Sequence, residues 1–202
     1  MRPDTDGPVR RPDPTAERIL EAARATFARS GFDGATTRAI ARAAGVNVAT
    51  LAYHFGGKEG LYTAAIERMY AELLALPLPE LQGPPQERIA AVARLAWRFA
   101  QEHRVDIRLL ARHRLEHDRL PEPVRERWTP ALVAGALRVV AALGLPPQRD
   151  PRLALWTLNH LLARYALADD DELAQVGATR HDLEDHLVEV AVRLLLSAPA
   201  DR

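Results

Sequence analysis

The sequence contains no cysteine, which excludes a disulfide framework and thiol chemistry and suits a reducing, cytoplasmic setting. Serine occurs only at Ser30 and Ser197, neither of them in a nucleophile elbow. A Gly-rich phosphate loop is also missing, so nothing calls for a nucleotide or any other cofactor. No stretch approaches the ~18 consecutive apolar residues that a membrane span needs, and no membrane partner is expected. The segment Met1 to Pro14 is rich in Pro, Arg and Asp and has no apolar stretch, so it reads as a disordered arm and not as a secretory signal. Sustained period-two alternation, the mark of half-buried strands, is absent as well. Net charge is zero, from 27 basic and 27 acidic residues, and Lys58 is the one lysine among the basic set.

What is present is helical periodicity in a chain of 202 residues that is 48% hydrophobic, enough to bury a substantial core. The expected class is all-α. A first helix is expected from Thr15 as N-cap, with Ile19, Leu20, Ala23 and Phe27 on one side and Gly31 as its stop. A short second helix follows Thr36-Thr37 and ends at Gly45, and a third covers about 48–53. After Gly56-Gly57 a longer helix is expected over 58–76. A Pro/Gly stretch, 77–85, precedes helices at about 86–101, 105–117, 123–143, 151–168 and 180–196. Pro130 should kink or split the third of these. Asp150 is the expected N-cap of the fourth, and Thr179 with Asp182 forms a near-match to a capping box at the last. The acidic run 169–172 reads as a solvated loop.

Charge is uneven along the chain. Residues 24–58 carry Arg24, Arg29, Arg38, Arg42 and Lys58 against Asp33 alone, a local net of +4. Within that stretch, two short helices joined by Ala44-Gly45-Val46 form a helix-turn-helix, a unit whose second helix enters the DNA major groove. Ile40, Ala41, Ala44, Val46 and Leu51 supply its small core. Asn47, Val48, Ala49, Thr50 and Tyr53 are then left to face a groove. Phe55 is expected in the core.

Residues 15–62 resemble the N-terminal domain of the TetR/AcrR family of regulators. The likeness is carried by Phe27, Gly31-Phe32, Thr36-Thr37, Ile40-Ala41, Ala44-Gly45-Val46, Leu51, Tyr53-His54-Phe55 and Lys58-Glu59-Gly60-Leu61, at the family's spacing and without a gap. It covers roughly a quarter of the chain. By this resemblance Thr37 is a phosphate contact, and Arg38 and Thr50 are phosphate or base contacts. Tyr53 and His54 are phosphate ligands, and Lys58 meets a phosphate at the start of the fourth helix. Ala52 departs from the family, which often has an aromatic before the Tyr53 position. The implied organisation is a disordered arm at 1–14, a DNA-binding domain at 15–60 and a helical effector-binding and dimerisation domain at 61–202.

The C-terminal part carries no motif of comparable weight. Trp97, Trp128, Leu110 and His113 are the candidates for lining an effector pocket, with Arg108 or Arg112 facing a carboxylate-bearing ligand. Arg104 lies one turn before Arg108, and all three arginines on a solvated face is the competing reading. Leu183, Leu187, Val190 and Leu194 form one apolar stripe on the last helix, and Val188, Ala191, Val192 and Leu195 form another. With Trp156, the first stripe is the expected dimer surface. The combined expectation is a homodimeric, ligand-responsive repressor on a near-palindromic double-stranded operator. The rivals are an effector-independent DNA-bound scaffold for a protein partner and a metal enzyme built on His113-Arg114-Leu115-Glu116-His117. The second is disfavoured by the surrounding arginines, so no metal and no catalytic residue is expected.

Overall fold

A computed structural model describes residues 13–117, 120–145 and 151–196, with only the backbone of Pro123. The described residues form ten α-helices and no strand. They are α1 (Pro14–Gly34), α2 (Thr37–Ala43), α3 (Val48–Phe55), α4 (Lys58–Ala75), α5 (Pro85–Glu102), α6 (Arg104–Glu116), α7 (Glu122–Ala142), α8 (Arg152–Leu167), α9 (Asp170–Gln175) and α10 (Arg180–Leu196). The chain divides between Ala65 and Ile66 into two compact units.

In the first unit, local chemistry sets each boundary. The N-cap of α1 is Asp13 and not Thr15: its carboxylate accepts from the Thr15 N–H at 2.8 Å, with Pro14 at the first helical position. A carboxylate at that place also faces the positive end of the helix dipole. Gly31, at φ 74°, interrupts α1 as expected, and a further turn reaches Gly34. Thr36 caps α2 by accepting from Ala39 N at 3.1 Å, and Asn47 caps α3 by accepting from Thr50 N at 2.7 Å. Ile19, Ala23, Phe27, Ile40, Ala41, Ala44 and Leu51 are buried as a small core, while Val46 is only half-buried. Phe27 stacks on Phe32 and Tyr62 meets both edge to face, with ring centroids 5.1–6.0 Å apart. This brings the first turns of α4 onto α1.

The second unit is built around α5 and α10. Ile89 and Ala93 of α5 pack with Leu143 and Ala191, and Val188, Val192 and Leu195 cover them. One of the two stripes on α10 therefore faces its own subunit. The acidic run is not a loop. Asp169 caps α9 by accepting from Glu172 N at 2.7 Å, and the acids that follow lie in the helix's first turn, where its dipole favours negative charge. Pro130 does not split α7, which runs through it. Pro130 and the residue four before it, Glu126, are both exposed, so water can take the carbonyl that proline leaves without a donor. The expected cap Asp150 and most of the N-terminal arm lie outside the described residues.

Candidate nucleic-acid interface

The turn between α2 and α3 needs Gly45, whose φ of 65° is a left-handed conformation that residues with a Cβ rarely adopt. Leu51 anchors the inner side of α3 with no exposed surface. The same 3.6-residue period then drives the other residues outward. Val48, Ala49, Ala52 and Tyr53 are exposed, and Tyr53 is 86% exposed. A core role for that ring is excluded. Arg38 and Arg42 are exposed on α2, and Thr37 is half-buried at its first position. Two short helices thus present a shallow apolar and hydroxyl surface flanked by guanidinium groups, a combination suited to base edges and thymine methyls between two phosphate backbones.

Several expected contacts have partners inside the protein. Asn47 Oδ1 accepts from both the N–H and the hydroxyl of Thr50, at 2.7 and 3.0 Å. Asn47 is therefore first a cap, and the Thr50 hydroxyl is already used as a donor. The His54 side chain is only 16% exposed, and its Nε2 lies 3.7 Å from the Asp13 carboxylate. His54 ties the end of α3 to the beginning of α1, and an acid at that distance works against a phosphate there. The Thr15 N–H, and more weakly His54, hold the Asp13 carboxyl below the usual range. Lys58 stands over the Phe32 ring, 4.4 Å from its centroid, which fixes the ammonium at the first residue of α4. Phe55 is half-buried, not enclosed.

Gly60 has a role that sequence reasoning missed. A Cβ at this position would lie 1.8 Å from the Phe55 carbonyl oxygen. Only glycine lets the first turn of α4 pass so close to the last residue of α3. The signal was in the sequence, as a glycine inside a helical pattern.

In the second unit, Trp97, His113 and Trp128 are buried and Leu110 is half-buried. The Trp128 indole N–H donates to Glu67 at 3.1 Å, and the Trp128 ring lies beside Tyr70, whose phenol burial pushes up in pKa. Its polar handle is therefore taken. Arg112 pairs with Glu116 at 2.7 Å and Arg108 is exposed, so the expected carboxylate contact at Arg112 already has an occupant from one turn along its own helix. Leu187 is 3% exposed and belongs to its own protomer's core, which removes it from the expected dimer surface. Trp156, at 60%, and Leu194, at 39%, are exposed, and Leu183 and Val190 are half-buried. Leu153, 79% exposed one turn before Trp156, joins them.

With this geometry in place, the family model described as bacterial regulatory proteins of the tetR family matches residues 19–65. That span covers the helix-turn-helix and its supports. The chain belongs to the TetR family. It is 28% identical over 186 residues to the transcriptional dual regulator CecR of Shigella flexneri, covering 83% of this chain and 82% of that one. It is 48% identical over 66 residues, about a third of each chain, to the regulatory protein RaaS of Mycobacterium tuberculosis. A crystal structure of a TetR-family regulator from Rhodococcus sp. superposes with a TM-score of 0.66 at 20% identity, covering 91% of this chain and 98% of the other. A transcriptional regulator of Streptomyces coelicolor gives 0.65 at 26% identity, over 92% and 99%. As a TetR-family member the chain is a DNA-binding transcriptional regulator, with an N-terminal helix-turn-helix and a C-terminal helical part. No helix among the described residues is long and apolar enough to cross a membrane.

Proposed function

We propose that this regulator is a cytoplasmic, homodimeric, ligand-responsive repressor in which α3 reads a near-palindromic operator. The observation that carries the reading is the outward face of α3, where Val48, Ala49 and Tyr53 are exposed while Leu51 is buried. Thr37, Arg38 and Lys58 position this face through phosphates, while Thr50, its hydroxyl bound to Asn47, steadies the first turn of α3. His54 acts indirectly, by holding α3 against α1. Residues 15–60 form the reading head and 61–202 the effector and dimer part. α4 is continuous through the division, so a shift of its C-terminal half is transmitted covalently to the head. The dimer is proposed to form through α8 and α10, at Leu153, Trp156, Leu194 and the half-buried Leu183 and Val190. An effector enclosed near Trp97, Leu110, His113 and Trp128 releases DNA to the extent that it binds one state of the dimer better than the other.

Footprinting on genomic fragments retained by the purified protein tests this. The expected pattern is two protected half-sites in successive major grooves, ~34–36 Å apart. A single protected half-site, or equal retention of all fragments, contradicts the dimeric reader.

A further inference from the structure

The second unit holds a group of arginines that the DNA-binding reading does not use. Arg104, the first residue of α6, donates through Nη2 to the Ala168 carbonyl at 3.0 Å. Arg180, the first residue of α10, donates through Nη2 to the same oxygen at 3.2 Å. Two guanidinium groups thus converge on one neutral acceptor at the end of α8. Arg108 follows Arg104 by one helical turn, is exposed, and makes no hydrogen bond or ion pair among the described residues. The acids close by are Asp170, which pairs with Arg180 at 2.9 Å and is itself largely exposed, and Asp169, whose carboxylate caps α9. Three cations therefore face two acids, and among the described residues Arg104 has no carboxylate within ion-pair distance.

The arrangement leaves donors unused. Arg104 Nε and Arg180 Nη1 are both buried and without a hydrogen-bond partner among the described residues. Each such N–H loses its water without an acceptor in return. Burial, with Arg180 and Arg108 beside it, pulls Arg104 below the usual guanidinium range. An oxyanion between these side chains would answer both deficits, because carboxylate and phosphate oxygens match the guanidinium fork.

We propose that Arg104, Arg108 and Arg180 form an oxyanion site at the α6, α8–α9 and α10 junction, taking a phosphate or carboxylate group. The ligand enters from the Arg108 side, where the surface is open, and draws the Arg104 and Arg180 guanidiniums from the shared carbonyl onto its own oxygens. The site shares no residue with the DNA-reading face, and it stands or falls independently of operator binding.

Isothermal titration of the full chain with inorganic phosphate and with citrate, at ionic strength held constant with sodium chloride, tests it. The same titrations are run on Arg104→Gln, Arg104→Lys and Arg108→Gln. Wild type is expected to show saturable binding of at least one probe. Arg104→Gln should weaken it about tenfold or more, and Arg104→Lys should restore part of it, since lysine keeps the charge but not the fork. Arg108→Gln carries the control for folding, because Arg108 makes no hydrogen bond or ion pair among the described residues and its loss should weaken binding with an unchanged melting temperature. Absence of saturable heat for both probes overturns the site. So does equal binding by wild type and Arg108→Gln together with a lowered melting temperature in Arg104→Gln, which marks Arg104 as a brace only. Phosphate also stabilises folded proteins by exclusion from their surface, so only the part of a rise in melting temperature that Arg104→Gln and Arg108→Gln lose supports the site, and an equal rise in all variants with no saturable heat overturns it.

Discussion

Substituting Gly60 with alanine separates helix propensity from packing. Propensity alone favours the change, because alanine in a helix is better than glycine by about 1 kcal/mol. The structure reverses the sign. The new Cβ would sit 1.8 Å from the Phe55 carbonyl oxygen and 3.0 Å from the Phe55 carbonyl carbon. The obstruction is backbone, not the end of a flexible side chain, so the α3–α4 corner must open by more than about 1 Å, at the upper end of overpacking costs, about 3 kcal/mol. The net destabilisation is about 2 kcal/mol, which for a domain as small as the head lowers the melting temperature by roughly 8–16 °C. Calorimetry of Gly60→Ala measures it, with hydrogen exchange on α1–α3 assigning the loss to the head. Opening the corner also displaces Tyr53 and Lys58 relative to each other, so DNA affinity should fall even well below the melting temperature. A variant as stable as wild type, or more so, would refute the reasoning.

Three further outcomes follow from the same structure. Lys58→Ala should weaken binding to operator and unrelated DNA by similar factors and reduce the slope of log K against log salt by about one unit, as titrations at several salt concentrations will show. Trp156→Arg should give folded monomers in sedimentation, whereas Leu187→Arg should unfold the protomer, since it places an unpaired charge in the core at a cost of about 3–5 kcal/mol. Stability should fall as the pH drops below about 4, because Asp13, Glu116 and Asp182 are all held below their usual carboxyl range, by the Thr15 N–H, Arg112 and Thr179 respectively. Their contribution is present above the unfolded pKa and lost as they protonate, so Asp182→Asn should flatten the acid limb of an unfolding curve.

What the sequence made legible was chiefly local. Gly31, Gly45, Thr36 and Thr37 mark helix ends through backbone chemistry that acts within a few residues, and the exposed set on α3 follows from one helical period. The fitting of Leu187 shows the limit. Two apolar stripes on α10 announce two buried sides, but nothing in their spacing says which side meets the same chain. The Asp13–His54 pair joins residues far apart in sequence, and no local pattern signals it. Asp169 was readable as a helix cap, yet the density of charge after it gave the run the look of a loop. Arg112 had its partner in view at Glu116, four residues on. The convergence of Arg104 and Arg180 on Ala168 depends on how α6 and α10 meet the end of α8, which only the fold supplies.

The central claim is that the exposed face of α3 reads DNA, and it is tested most directly by affinity at that face. A genomic fragment retained by the wild-type protein is titrated, at one fixed salt concentration, with wild type, Tyr53→Ala and Arg38→Ala. Because Tyr53 and Arg38 are exposed and support no core, both variants should melt like wild type. Each is expected to bind about tenfold or more weakly, the loss of roughly 1–3 kcal/mol that a base or phosphate contact carries. Unchanged affinity in both variants, with the fold intact, would contradict the account.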